Sequence, residues 1–335
     1  MAKKHAIAVL GAGSWGTALA LVLARNGHET RLWGHESQHL SKLKQDRENR
    51  RYLPSIGFPS QLILHADLSA AIQDTETVLV VVPSYAYAET LRKLKPYLPN
   101  KMGIAWATKG LERGSGRFLH EVTRDILGDA RPIAIVSGPS FAQEVALGLP
   151  TAITVASEDS HYARQLVTLL HGASLRAYTS VDVIGVELGG AVKNVLAIAT
   201  GVADGLGFGA NARAAIITRG LAEMERLGKA VGGRQETFMG LAGIGDLVLT
   251  CTDNQSRNRR FGLAIGRGQT APQAQADIDQ VIEGAETVQE ISRLAAKHQV
   301  EMPITEQVNR VLHEHLDPRQ AVESLLARDP KPETF

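Results

Sequence analysis

The chain has a single cysteine, Cys251, in 335 residues. One thiol excludes an intramolecular disulfide and cannot build a cysteine zinc cluster, which suits a reducing compartment. An excess of one charge is also lacking: 36 Lys and Arg against 35 Asp and Glu leave a formal net charge of +1. A nucleic-acid partner usually leaves a basic stripe, and none is legible. Any anion bound here is therefore small and held by a few placed groups. The histidines, His313 and His315 among them, lack metal-ligand company, and no nucleophile-base triad is apparent. No apolar run approaches the ~20 residues needed to cross a bilayer. Lys3-Lys4 followed by apolar residues 6–10 and 17–24 mimics a signal peptide. Gly11, Gly13, Ser14 and Gly16 interrupt that run at positions another motif explains better. These absences predict a soluble, cytoplasmic protein with no metal, no nucleic-acid partner and no integral membrane segment.

What is present is core-forming. Hydrophobic residues make up 44% and charged residues 21%, which excludes wholesale disorder. The length fits two domains. In the first half, short apolar runs alternate with helical patterns. Residues 6–10, 30–33, 62–64, 78–82, 104–107, 133–136 and 152–155 read as strands, with an eighth at 175–178. Residues 17–25, 87–97 and 115–127 read as helices. Such alternation implies a mainly parallel sheet covered on both faces. Beyond residue 180 the pattern is helical, over 181–203, 212–227, 259–265, 287–297, 306–312 and 318–326. Glycine-rich connections separate them at 205–209 and 240–245. The expected architecture is an α/β, Rossmann-type domain over 1–180 followed by an all-helical domain over 181–335. A cleft between two such domains is the natural substrate site.

Gly11-Ala12-Gly13-Ser14-Trp15-Gly16 is a GxGxxG sequence, weak alone but placed between an apolar strand and a helix. The first glycine permits the tight turn, the second a close approach of pyrophosphate, and the third helix packing on the sheet. The helix N-terminus supplies free N–H groups to the phosphates. The second strand ends Trp33-Gly34-His35-Glu36, where NAD-selective sites often place an acidic residue on the ribose. His35 does not repel a 2′-phosphate as a carboxylate would, so NAD and NADP both stay open. Lys109, Gly138 and Ser140 follow later strands and can meet a polar substrate at the strands' carboxyl ends.

The segment Glu187-Leu188-Gly189-Gly190-Ala191-Val192-Lys193-Asn194 puts one lysine in the middle of an apolar helix. That is costly unless its head reaches a polar cleft or a partner. Burial, or a second cation such as Lys109, would lower its proton affinity into the range of a proton relay. The competing reading has Lys193 snorkel to solvent or pair with Glu187. Asp246, after Gly243-Ile244-Gly245, can accept substrate hydroxyls or hold a lysine. Ser256-Arg257-Asn258 offers a hydroxyl, a guanidinium and an amide, enough to surround a phosphate. Alone it reads equally as a basic loop. Cys251 reads as a small core residue.

Together these motifs, with Ala107-Thr108-Lys109-Gly110, Ser137–Ala142 and Val281–Thr287, resemble bacterial NAD(P)-dependent glycerol-3-phosphate dehydrogenase over nearly the whole chain. The resemblance implies hydride transfer at C2 of dihydroxyacetone phosphate and sn-glycerol 3-phosphate, in the service of phospholipid synthesis. By it Lys193 is the catalytic proton acceptor in oxidation and the donor in reduction. Lys109, Gly138, Ser140, Asp246, Ser256, Arg257 and Asn258 hold substrate. Gly11, Gly13, Ser14, Trp15, Gly16, His35, Lys109, Ala142, Arg257, Val281 and Glu283 line the NAD or NADP site. Asn194 and Thr250 are supporting polar groups. His35 stands where many relatives carry arginine, which leaves the preference for NADP open, and the sequence leaves a homodimer open. A β-hydroxyacid dehydrogenase shares the plan but often has asparagine four residues after its lysine, where this chain has Ala197. A non-enzymatic nicotinamide sensor would have no need of Lys193, Asp246 and the 256–258 segment.

Overall fold

The computed structural model describes residues 5–278, 280–329 and 332–333; Lys3 and Lys4, the basic start of the signal-peptide mimic, lie outside the described residues. Elements follow in the order β1 (Ala6–Leu10), α1 (Ser14–Arg25), β2 (Glu29–Trp33), α2 (Ser37–Asp46), β3 (Glu48–Asn49), β4 (Leu53–Gly57), β5 (Leu62–His65) and α3 (Leu68–Ile72). Then come β6 (Thr77–Val80), α4 (Ser84–Leu94), β7 (Gly103–Trp106), α5 (Leu119–Leu127), β8 (Ile133–Ser137), α6 (Ala142–Leu147), β9 (Thr151–Ala156), α7 (Ser160–Leu170) and β10 (Leu175–Ser180). The remainder is helical among the described residues: α8 (Val183–Gly205), α9 (Ala210–Val231), α10 (Gln235–Phe238), α11 (Asp246–Thr252), α12 (Arg257–Gly266), α13 (Ala271–Ile278), α14 (Glu283–Lys297), α15 (Pro303–His313) and α16 (Pro318–Leu326).

Two compact units result. One comprises the chain through Thr108 together with Leu119–Val183; the other comprises Lys109–Phe118 and the chain from Ile184 onward. Residues 109–118 thus pack with the helical unit, although a boundary at 180 leaves them in the first.

The first unit is built on an eight-stranded sheet of order β10-β9-β8-β7-β6-β1-β2-β5. Every pairing in it is parallel except β8 with β9. Alternation of side chains explains the two covered faces. Ile7, Val9, Leu79, Ala105 and Val136 share one core with residues of α1 and α7. Their neighbours Ala8, Leu10, Val78, Ile104 and Trp106 are buried as well, and Trp106 packs edge-on against Tyr87 of α4. This is a Rossmann arrangement. From β1 the strands run outward through β2 on one side and β6 on the other, which makes the β1–β6 edge a switch point where such sheets bind ligands.

All eight strands expected from sequence are present, with ends shifted by a residue or two. The antiparallel pair β3–β4 was not expected; it is short and lacks apolar alternation. One expectation is corrected. α8, at 23 residues and a mean hydropathy of 1.4 in its best window, is long and apolar enough to cross a bilayer. Glu187, Lys193 and Asp204 break it into shorter runs, which hides its length in the sequence. It is the core helix of its unit, with 94% of that window buried inside the protein.

Candidate active site

In the first unit, the turn after β1 has the geometry a dinucleotide needs. Gly11 has φ +127°, and a Cβ there would overlap Val81 O. A Cβ on Gly16 would overlap Gly11 O, so the helix can begin this close to the turn only without one. Around Gly13, by contrast, nothing lies within 4 Å of where a Cβ would stand. Gly13 is the N-cap of α1 and provides no side-chain cap, so the first N–H groups face outward with the positive end of the helix dipole. The residues present therefore fit a pyrophosphate. Ser14 Oγ donates to Tyr52 O at 2.8 Å, and the indole nitrogen of Trp15 is buried with no hydrogen-bond partner. His35 is 81% exposed beside Glu36, whose carboxylate also lies 3.4 Å from Arg51.

Sequence reading missed the residue that holds this turn. Asn49, fully buried on β3, donates to Ala12 O at 3.0 Å and to Thr17 Oγ1 at 2.8 Å. Also in this unit, Gly138 (φ +124°) follows β8, Ser140 Oγ donates back to Gly138 O at 2.8 Å, and Ala142 opens α6.

The second unit gathers the charged residues. Asp246 begins α11, directly after a π-turn over Leu241–Gly245 that stands where an irregular glycine connection was expected. Gly189 and Gly243 let the turn close onto α8 and α10, since a Cβ on either would overlap Ala242 O or Phe238 O. That approach aims the Asp246 carboxylate at the middle of α8. Lys193 Nζ donates to Asp246 Oδ1 at 2.7 Å and to Thr250 Oγ1 at 2.9 Å. Lys109 Nζ donates to Asp246 Oδ2, also at 2.7 Å. One carboxylate thus bridges two ammonium groups, and its side chain is 1% exposed. The pairing of Lys193 is with Asp246 and not with Glu187.

Electrostatics follow from this geometry. Burial pulls the Lys193 ammonium down; Asp246 opposes that and Lys109 adds to it, leaving a pKa of about 8. Burial would raise the Asp246 carboxyl, but Lys109 and Lys193 outweigh it and hold it below its ordinary value. Two cations on one anion leave the cluster net positive, which suits an anionic substrate.

Beside it runs an amide relay. Asn194 Nδ2 donates to Gly190 O at 3.3 Å, Asn258 Nδ2 to Asn194 Oδ1 at 3.0 Å, and Gly284 N to Asn258 Oδ1 at 2.9 Å. The relay ties α8, at the residue next to Lys193, to the starts of α12 and α14. Ser256-Arg257-Asn258 is accordingly a helix start. Ser256 Oγ caps α12 by accepting from Arg259 N at 3.2 Å, and its own hydroxyl hydrogen can still be donated. Arg257 Nη1 lies 3.3 Å from Gln280 Oε1. Burial lowers the Arg257 pKa, and the nearby Glu283 carboxylate counters it. Val281 lies two residues before the start of α14 at Glu283, with Ile282 as the N-cap between them.

Arg259 was missed by sequence reading. Nearly buried, it donates to Cys251 O at 3.1 Å and pairs with Asp204, which Arg213 also grips. Glycines make this possible: a Cβ on Gly201 would overlap Arg259 O, and one on Gly262 would overlap Ile198 O, so α8 and α12 touch backbone to backbone.

Comparison with known proteins agrees with the fold. The family model for the NAD-dependent glycerol-3-phosphate dehydrogenase N-terminus matches residues 6–163, and that for its C-terminus matches residues 182–323. The glycerol-3-phosphate dehydrogenase [NAD(P)+] of Aeromonas hydrophila is 57% identical over 334 residues, covering 99% of this chain and 100% of that one. The crystal structure of glycerol-3-phosphate dehydrogenase from Coxiella burnetii superposes with a TM-score of 0.94 at 56% identity, covering 97% and 99% of the two chains. The corresponding Saccharomyces cerevisiae structure gives 0.82 at 26% identity, covering 96% and 99%.

Proposed function

The chain belongs to the NAD-dependent glycerol-3-phosphate dehydrogenase family, and we propose that it interconverts dihydroxyacetone phosphate and sn-glycerol 3-phosphate using NAD or NADP. The observation that carries this reading is the buried Lys109–Asp246–Lys193 cluster, joined through Asn194 and Asn258 to the arginine-bearing start of α12. In this reading residues 1–180 supply the dinucleotide site and residues 181–335, together with 109–118, the chemistry.

Gly11, Gly13, Ser14, Trp15, Gly16, His35 and Ala142 hold the dinucleotide, with Lys109, Arg257, Val281 and Glu283 contributing from the helical unit. When bound, the nicotinamide ring gives or takes the hydride at C2 of the triose. Lys193 moves the accompanying proton: its ammonium protonates the C2 oxygen in reduction, and its amine accepts that proton in oxidation. A pKa of about 8 leaves both forms accessible near neutrality. Asp246 and Thr250 orient the lysine head. Arg257, Ser256 and the N–H groups at the start of α12 take the phosphate, and Arg257 supplies a planar fork matched to it. Lys109, Gly138, Ser140 and Asn258 complete the substrate contacts.

The enzyme is proposed to act in the cytoplasm, supplying glycerol 3-phosphate for phospholipid synthesis, with a homodimer as the assembly to test by sedimentation. The deciding assay follows nicotinamide absorbance with dihydroxyacetone phosphate and a panel of 2-keto acids. Turnover of dihydroxyacetone phosphate alone is expected. Turnover of a 2-keto acid alone would move the chain to the β-hydroxyacid reading, and cofactor binding without any turnover would favour a sensor.

A further inference from the structure

Lys109 reaches Asp246 because the segment that carries it, Lys109–Phe118, is fastened to the helical unit. Two fastenings are apolar. Leu111 and Phe118 are buried in the core that contains Leu188 and Val192 of α8 and Ile291 and Leu294 of α14. The third is polar and sits between them. Glu290 on α14 is 3% exposed, and its Oε1 accepts the Gly114 amide hydrogen at 2.9 Å. Arg293, three residues on, grips the same carboxylate at 2.8 and 3.0 Å.

The segment is closed on itself as well. Glu112 N donates to Arg117 O at 2.9 Å and Gly116 N to Glu112 O at 3.0 Å. Arg117 and Ser115 both donate to the Glu112 carboxylate, at 2.9 and 2.6 Å. A loop cross-linked in this way shifts largely as one piece, so holding Gly114 also holds Lys109.

We propose that Glu290 is a positioning residue for the reaction: through Gly114 it fixes the 109–118 segment so that the Lys109 ammonium stays against Asp246, beside Lys193. This rests on the reading of Lys193 as the proton relay. A carboxylate is costly to bury unless its oxygens are occupied, and here they are spent on a backbone amide of the lysine-bearing loop and on Arg293. Among the described residues, the charged groups that act most strongly on Lys193 are Asp246 from α11 and Lys109 from the segment, and the Cys251 thiol of α11 faces it as well. Burial pushes the Cys251 thiol up to about 12, so it stays neutral. Lys109 is therefore the one cation of this set whose removal raises the proton affinity of Lys193. It also leaves Asp246 to Lys193 alone, which acts in the same direction.

The test uses the full-length enzyme and the pH dependence of kcat/KM for glycerol 3-phosphate oxidation, which needs Lys193 neutral. Glu290→Met fills the volume and removes the acceptor; Glu290→Ala serves if that variant does not fold, as judged by circular dichroism. The expected result is a rising limb moved to higher pH by about half a unit or more, with kcat/KM lowered about tenfold to a hundredfold by misplacement. Glu290→Gln, which keeps an acceptor for Gly114, should restore most of both. In a Lys109→Ala background Glu290→Met should add less than about twofold, because the two act through one path. An unmoved limb, or the same loss with and without Lys109, would overturn the proposal. If Lys109→Ala itself changes neither rate nor limb, the active-site reading of Lys109 fails first and the proposal falls with it.

Discussion

Asp246→Asn isolates what one carboxylate does for two lysines. The substitution preserves shape, so no cavity forms. The introduced amide would still offer one oxygen, but its NH2 would face an ammonium, setting donor against donor where Lys109 or Lys193 now finds an acceptor at 2.7 Å. Removing one partner of a buried ion pair costs about 3–5 kcal/mol. An upper bound comes from Lys193 itself, which can shed its proton. Holding an ordinary lysine, pKa ~10.4, neutral at pH 7 costs about 5 kcal/mol at ~1.36 kcal/mol per unit. The loss at pH 7 should therefore lie at about 3–5 kcal/mol. For domains of about 150–250 residues each kcal/mol moves Tm by about 2–4 °C, so a drop of at least about 6 °C is expected.

The sign with pH is fixed by the direction of the lysine shift. The Lys193 pKa is lowered in the folded state, so the unfolded chain binds more protons between about 8 and its ordinary value, and stability contributed by this group rises with pH. In the amide variant Lys193 is already neutral. The deficit relative to wild type should therefore shrink between pH 7 and pH 9.5, where Lys193 is neutral in both proteins and the Lys109–Asp246 pair alone distinguishes them. Calorimetric melts of both proteins at the two pH values decide it. A deficit below about 2 °C at pH 7, or one that does not shrink, would refute the reasoning.

Lys193→Met should lower kcat by about 10²–10⁴-fold with cofactor affinity nearly intact; near wild-type turnover in the folded variant would remove Lys193 from the chemistry. Arg257→Ala should lose most of the preference for dihydroxyacetone phosphate over dihydroxyacetone in kcat/KM, and an unchanged ratio means the phosphate is held elsewhere. Gly201→Ala gains about 1 kcal/mol of helix propensity but drives a methyl into Arg259 O on a backbone that cannot step aside. Overpacking of this kind costs about 1–3 kcal/mol, so Tm should fall, and a raised Tm would show that α8 and α12 can separate freely. Glu223, buried and bonded to the Thr305 amide and hydroxyl at the start of α15, is pushed up to about 7 by burial. Its contribution to stability is present below the ordinary carboxylate range and is lost as pH rises through about 7, so the Tm deficit of Glu223→Gln should shrink from pH 5 to pH 8.

Sequence alone exposed whatever rests on local pattern. The strands of the sheet are apolar runs between turns, and their burial on both faces follows from the same residues that announce them. The glycine turn was legible because its three glycines each answer a different steric demand. What lay hidden depends on distant partners. Asn49 sits in a polar stretch, and nothing local says that its amide braces Ala12 and Thr17. The 109–118 segment contains only two buried apolar anchors, too few to show which core they join. Arg259 was overlooked beside Arg257 because the helix was expected to begin only at 259, which hides that both arginines project from one helix. On the helix that Ser256 caps, residues two apart point to opposite sides. Arg257 therefore turns toward Gln280 and Glu283, while Arg259 turns into the body of the unit.

Lys193 marks the boundary between the two kinds of information. A lone lysine in an apolar helix demands a partner, and that demand is visible in the sequence. The identity of the partner looks open, since Glu187 on the same helix and Asp246 far along the chain both offer a carboxylate. Helical geometry already discriminates between them. Six residues at 3.6 per turn and 1.5 Å rise put Glu187 about 9 Å away along the axis and about 120° around it, outside the i,i+3 and i,i+4 spacings at which side chains meet. Asp246 carries no such bar, and the π-turn before it, pressed onto α8 at Gly189, delivers its carboxylate to Lys193. A buried charge thus announces itself locally, whereas its partner is chosen by whichever backbone can approach it, and here two glycines, Gly189 and Gly243, make that approach possible.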